Sequence, residues 1–277
     1  MTPDPTPTAV PDGMSSPGSL PVEVRQDRIG DAVEGSGFSR VTDLAERFSV
    51  STVTVRSDLA ALESRGRIRR VRGGAVPSGS ITVERPLEQE AGEQEVEKAL
   101  ISRHAAGLVS SGDVVLIDVG STTTAIADAL VDRRDLGDVT VVTNSLNVAL
   151  ALEPAADRIT VLVTGGTVRP LQHSLVNPYA TLLLGQLTAH LAFVGCNGVD
   201  VGGGVTNRNL AEAEIKRAML KAARRTVVVA DGSKLGEVEV ARICQVDEID
   251  LLVTDASADP RVVDDLQRAG LTVTVVR

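Results

Sequence analysis

Aromatic side chains are nearly missing from this chain: its 277 residues include no Trp, one Tyr and three Phe. A core must therefore be built from Val, Leu, Ile and Ala, and the 43% apolar content can supply one. Cysteine is equally scarce. Cys196 and Cys244 stand alone, without metal-ligand spacing. That argues against a disulfide frame and fits a reducing compartment, the cytoplasm. His104, His173 and His190 also lack metal spacing; the first and last read as structural. No motif implies a cofactor. No apolar run reaches the roughly 20 residues of a membrane span, so no membrane partner is expected. The first 21 residues hold six of the twelve prolines and no basic residue. They lack the charged start and apolar centre of a signal peptide and read as a disordered tail, 1–21.

What the chain does have is a compact pattern from Val41 to Val76. Leu44 and Phe48 put apolar groups on one face of a short helix. Ser49, Val50 and Ser51 make a turn, and the Ser51 hydroxyl can cap the helix that follows. Val55, Leu59 and Leu62, spaced four and three apart, give that second helix a buried face. Gly66 stops it where a left-handed residue costs little. The alternation in RIRRVR up to Gly73-Gly74 suits a two-stranded wing. A helix able to enter a major groove, followed by an arginine-rich wing, is a winged helix-turn-helix, predicted over 22–76. Its partner would be a double-stranded DNA operator. Ser51, Thr52, Thr54 and Arg56 are the candidate groove contacts, and Arg69, Arg70 and Arg72 the candidate backbone or minor-groove contacts.

The net charge of −9 looks wrong for that partner. Its distribution resolves the conflict. From Val22 to Arg85 there are 11 Arg against 9 acidic residues, and from Arg56 to Arg72 six Arg against Asp58 and Glu63. Screening beyond about 10 Å lets a local basic stripe hold phosphate on an acidic protein. The acidic bulk then weakens non-specific binding.

After a Pro/Ser/Gly and acidic linker over 77–94, with Ile81 and Val83 expected as a short extended piece, runs of Val alternate with helical stretches. Strands are predicted at 114–118, 139–143, 159–164, 190–196, 226–230, 249–254 and the C-terminus. Helices are predicted from Glu95 to Leu108, Asn144 to Leu152, Leu210 to Arg224 and after Pro260. This is an α/β domain with a covered parallel sheet, 95–277. Such sheets bind ligands beyond the carboxyl ends of their strands, and polar clusters fall there. Asp118, Gly120, Ser121, Thr122 and Thr123 open a helix whose free N–H groups favour an anion, although a plain N-cap would look similar. Thr143-Asn144, Gly165-Gly166 with Arg169, and Asp231 to Lys234 follow later strands. Lys234 is placed for a second anion contact or as a solvated loop lysine. Glu212 and Lys216 either form a surface ion pair or line the crevice. His173 is a weaker candidate beside the Gly-Gly turn.

LAERF, VS, TVRSDLAALESRG and R-x-x-GGA together resemble the N-terminal signature of the DeoR/GlpR-type transcriptional regulators. EK at 97–98, D-x-GSTT at 118–123, TNS at 143–145, GG at 165–166, G-V-T at 204–206, EAEIKRAML at 212–220 and D-x-SK at 231–234 resemble the sensor domain of the same family. The resemblance runs from Val22 to Arg277. Departures are Ser57, where a second arginine is common, Arg72 for histidine, Glu90 for arginine and Asn177 for glycine. Asparagine tolerates the left-handed backbone that a glycine there would supply. The resemblance implies a sensor fold similar to ribose-5-phosphate isomerase and a phosphorylated sugar as effector. It implies that Gly120 to Thr123 and Lys234 hold the phosphate, with Asp118, Asn144 and Glu212 toward the polyol. It implies no enzymatic role, and reading two half-sites calls for a homodimer or tetramer. A repressor of a sugar-metabolism operon is the expectation; an activator, or an isomerase using Asp118, Glu212 and Lys234, is the alternative.

Overall fold

The computed structural model describes residues 21–36, 39–71, 73–77 and 86–277. The tail 1–20, the Ile81–Val83 piece and Arg72 lie outside them. The N-terminal module is built from α1 (Val22–Ser36), β1 (Ser39–Arg40), α2 (Val41–Arg47), α3 (Thr52–Ser64), β2 (Ile68–Val71) and β3 (Gly74–Pro77). Its turn and cap form as predicted. Ser49 takes φ +52, and the Thr54 N–H donates to Ser51 Oγ at 3.0 Å. Leu44, Val55, Leu59 and Leu62 are buried against Ile29 and Val33 of α1. The wing has a third strand that the sequence reading missed. β1 pairs with β3, and β3 with β2, all antiparallel. Helix α1 was missed as well, because its apolar face shows only Ile29, Ala32 and Val33. Charge holds it as well. Arg25 and Gln26 both donate to the buried Asp58 of α3, and Arg67 reaches back to Asp31 and Glu34.

The predicted linker contains a short helix, α4 (Leu87–Ala91), and then α5 (Glu95–Ala106) begins. The sensor sheet follows from β4 (Val114–Ile117), α6 (Ser121–Asp132), β5 (Val139–Thr143), α7 (Leu146–Ala151) and β6 (Ile159–Val163). A hairpin, β7 (Thr167–Arg169) and β8 (Ser174–Val176), leads into α8 (Tyr179–Leu184) and β9 (Ala189–Gly195). Next come β10 (Gly198–Asp200), β11 (Gly204–Asn207), α9 (Leu210–Ala222) and β12 (Ala223–Val229). The chain ends with β13 (Ala241–Cys244), β14 (Leu251–Asp255), α10 (Pro260–Arg268) and β15 (Val273–Val276).

Seven strands make one parallel sheet in the order β15-β14-β12-β9-β4-β5-β6. Alternate residues of each strand bury on opposite faces. Val115 and Ile117 of β4 join Ile101, Ile126 and Leu130 under α5 and α6. Leu116 joins Ile215, Met219 and Leu266 under α9 and α10. With both faces covered, the strands read as Val-rich runs, which is why they were legible. The elements between them were less so. The hairpin, α8 and the small antiparallel sheet β10-β11-β13 carry no long apolar period. The long helix stops at Ala222, two residues short of expectation. Ala223 takes φ −108, ψ 147 and starts β12, which pairs from there with β9.

Strand order fixes the place of the site. From β4 the chain winds outward through β5 and β6, then crosses back to β9 and winds the other way. The carboxyl ends of β4 and β9 therefore border a crevice at the point where the winding reverses.

Candidate functional site

A pocket opens at that crevice. Its floor is the turn after β4, Val119 to Thr123, and the turn after β9, Gly195 to Asn197. Its walls bring in Lys98 from α5, Glu212 and Lys216 from α9, and Asp231 and Lys234 after β12. Gly120 is the N-cap of α6 with φ 144, and no side chain caps that helix. The plain N-cap alternative for Ser121 or Thr122 is thus absent. The Thr123 and Thr124 hydroxyls instead donate back to the Gly120 carbonyl, at 3.0 and 2.8 Å. The first-turn N–H groups of a twelve-residue helix thereby face the pocket, carrying the partial positive charge of its N-terminus.

Three lysines converge on the same space. Lys98 and Lys216 are buried, at 6% and 2% exposure. The Lys98 Nζ donates to the Glu93 carbonyl at 2.6 Å. Lys216 pairs with Asp118, whose Oδ2 also accepts from the Gly195 N–H at 3.2 Å. Lys234 closes a short turn, Gly232 to Lys234, that Asp231 caps by accepting from the Ser233 N–H. Arg208 lines the wall and pairs with Glu239 at 2.8 Å. Asp118 lies beneath the pocket, fully buried. Burial raises its pKa to about 6 even though the Lys216 ammonium pulls it down. Burial also pushes the Cys196 thiol up to about 12, so it lines the pocket as a neutral thiol.

Not every expected residue belongs here. Glu212 does, oriented by Arg169 and by the Ser174 hydroxyl, which donates at 2.7 Å. It pairs with Arg169 and Lys216 with Asp118, so the surface ion pair between Glu212 and Lys216 does not form. Asn144 is buried away from the pocket lining, its Nδ2 donating to the Leu175 carbonyl at 3.3 Å. Gly165 and Gly166 are also outside it. They turn β6 into β7 with φ +70 and +128, and a Cβ on Gly166 would lie 1.9 Å from the Val176 carbonyl oxygen. They are required by the turn. His173 bonds Asn147 and does not line the pocket. Asn177 is not left-handed; its Oδ1 accepts from the Thr181 hydroxyl at 2.8 Å. Among the described residues, no group of three His, Cys, Asp or Glu could hold a metal, and no helix is long and apolar enough to cross a membrane.

Lys98 and Arg208 were missed as pocket residues. A signal existed for Lys98: with Ile101, Ser102 and Ala105 it falls on the buried face of α5, where an unpaired lysine would be costly. Lys216 shares its face with Ile215, Met219 and Leu220 in the same way.

The candidate DNA surface lies on the outer face of α3. Arg56 and Ser57 are exposed there, and Val53 is 71% exposed. Ser51 and Thr54 bond each other at 2.8 Å. Thr52 opens the helix, half-buried. Arg70 pairs with Glu63 through Nε at 2.7 Å, while Arg69 lies on β2.

A winged helix-turn-helix joined to an α/β domain with a polar, lysine-lined pocket at its switch point defines a DNA-binding transcriptional regulator. Residues 25–80 match the model of the DeoR-like helix-turn-helix domain, and residues 93–256 that of the DeoR C terminal sensor domain. The chain belongs to the DeoR family of transcriptional regulators. It is 36% identical over 258 residues to the HTH-type transcriptional regulator GlpR of Haloferax volcanii, covering 92% of this chain and 97% of that one. It is 30% identical over 233 residues to the glycerol-3-phosphate regulon repressor of Escherichia coli K12, covering 84% and 90%. The ribose 5-phosphate isomerase A structure from Methanocaldococcus jannaschii aligns at a TM-score of 0.39 and 18% identity, over 51% of this chain and 55% of that one. At that level the likeness speaks to neither ligand nor reaction.

Proposed function

We propose that the pocket binds a phosphorylated sugar or polyol and that its occupancy controls repression of a sugar-metabolism operon. One observation carries this reading: the uncapped N-terminus of α6 meets Lys98, Lys216 and Lys234 around a single pocket. N–H groups, a helix dipole and ammonium groups suit a phosphate dianion. Glu212 and Asp231, beside Lys216 and Lys234 in the same pocket, offer acceptors to hydroxyls. The relative named a glycerol-3-phosphate regulon repressor supports both a phosphorylated effector and repression. In this reading Gly120 to Thr123 and Lys234 hold the phosphate, and Asp118 sets Lys216 from below. The domains divide as 22–76, a linker 77–94 and 95–277. The site of action is the cytoplasm, beside the DNA. Two or four copies act together, because a helix-turn-helix reads paired half-sites. The effector works by binding one arrangement of the sensor better than another.

Fluorescence anisotropy on the DNA upstream of the protein's own gene tests the reading. The expected result is tight, salt-sensitive binding that one member of a sugar-phosphate panel shifts, with no shift from the unphosphorylated sugar. Equal response to both would overturn the phosphate assignment.

A further inference from the structure

Among the described residues, strand β6 is one edge of the parallel sheet. Edge strands are normally blunted by charge, proline or a covering segment, because their free N–H and C=O groups recruit other chains. Here the strand itself carries neither charge nor proline. Leu162 and Val163 are 44% and 43% exposed. Beside them α7 exposes Leu150 on one face of the sheet, and α8 exposes Tyr179 and Leu182 on the other, each above 60%. Tyr179 sits over the turn that leaves β6, its Cβ within 3.9 Å of where a Cβ on Gly165 would be. From residue 159 to 187 the only Asp, Glu, Lys or Arg is Arg169, in a chain that is 23% charged. Arg169 is turned inward to Glu212.

An uncharged apolar edge on a protein of net charge −9 can face a copy of itself without like-charge repulsion. An acidic surface facing its own copy would set acid against acid. Depletion of charge with retained aliphatic and tyrosine side chains marks the centre of protein interfaces. We infer that the β6 edge, flanked by α7 and α8, is the surface through which two copies of this chain pair about a two-fold axis. In such an isologous contact the same patch serves both partners. The inference rests on the reading that the regulator acts as more than one copy, and it assigns the face.

The test is light scattering on the full-length protein at micromolar concentration. Wild type is expected to be a dimer or larger. Leu162→Lys and Leu162→Glu are each expected to lower the assembly by at least one twofold step, with circular dichroism unchanged. Mixing the two variants is expected to restore it, since a self-facing patch then sets the introduced ammonium of one copy against the introduced carboxylate of the other. Val275→Lys, on β15 at the far edge, is expected to leave assembly intact. A wild type that is monomeric would overturn both the oligomer reading and this face. An oligomer unmoved by either Leu162 variant, or broken by Val275→Lys instead, would overturn the face alone. Should the Leu162 variants fail to fold, Leu182→Lys and Leu182→Glu on the helix surface repeat the test under the same expectations.

Discussion

Asp58 in the N-terminal module and Asp118 beneath the sensor pocket are both buried carboxylates with a cationic partner, yet they sit in different company. Asp58 receives a guanidinium fork from Arg25, at 2.7 and 3.2 Å, and the Gln26 amide at 3.1 Å. Its work is internal: it fastens α1 to the recognition helix, as Arg67 does from the wing through Asp31 and Glu34. Asp118 receives Lys216, whose neighbours include open pocket. The DNA module closes its buried charge inside the protein and leaves Arg56 exposed on the recognition helix. The sensor gathers lysines and carboxylates around a pocket, which in the proposed function a small anion enters.

The largest expected effect breaks this comparison open. Asp58→Ala strands a guanidinium that cannot deprotonate, and loss of one partner of a buried pair costs about 3–5 kcal/mol. Hydrogen exchange should show the N-terminal module unfolding first and DNA binding lost. Lys216→Met strands a carboxyl that already titrates near 6. Without the ammonium it rises further and becomes neutral, so the cost should be smaller. A Lys216→Met penalty equal to that of Asp58→Ala would show the two sites to be alike. The sign in wild type also follows. A carboxyl raised from near 4 to about 6 on folding holds its proton more tightly in the folded state. Its contribution to stability therefore falls as pH rises from about 4 to about 6, and in Lys216→Met that decline extends to higher pH. Carbon-detected NMR titration of Asp118 checks both statements.

The next effect separates the two regions by function. Lys234→Ala removes one charge-assisted contact to a phosphate, about 1.5–3 kcal/mol, or roughly tenfold to a hundredfold in effector affinity. Calorimetry with the active sugar phosphate should show that loss, while anisotropy shows operator affinity unchanged. Equal losses in both assays would mean that Lys234 supports the fold rather than the ligand.

The same contrast explains what was legible in the sequence alone. The helix-turn-helix occupies one contiguous stretch, so its spacing of Val55, Leu59 and Leu62 and the Ser51 cap carry the geometry locally. The pocket is assembled from positions 93 to 234 by strand order. The turn after β4 and Lys234 were legible as strand-end clusters. Lys98 entered only within the EK motif and not as a pocket residue, because what marks it is its place on the buried face of α5. Gly165, Gly166 and Asn144 misled for the converse reason. They also follow strands, but β5 and β6 lie on the outer side of the switch point, away from the crevice. Helix α1 was invisible because its core face is short, Ile29, Ala32 and Val33, and buried charge supplies much of the rest of its hold.

A smaller effect compares two caps. Ser51→Ala should cost about 1 kcal/mol, as should Asn209→Ala, where Oδ1 accepts from the Ala211 and Glu212 N–H groups. Their consequences differ. The first weakens operator binding without touching the effector. The second loosens the helix start that carries Glu212 and should weaken the effector without touching half-site recognition. Chemical denaturation gives the stability terms, and the two binding assays give the rest.

The smallest expected effect concerns Arg70. Its pairing with Glu63 is half-exposed, and such a pair is worth about 0–1 kcal/mol, little enough to be exchanged for a DNA phosphate. Arg70→Ala should then lower affinity about equally for operator and random DNA and reduce the slope of log affinity against log salt by about one unit. Glu63→Gln should do the reverse: it frees the guanidinium and removes a like charge from the DNA surface, so binding tightens modestly. An unchanged salt slope in Arg70→Ala, together with loosened packing of the wing on α3, would assign the Arg70–Glu63 pair to the fold. It would then match the Arg25–Asp58 pair, and Arg56 would carry the exposed charge of the recognition helix.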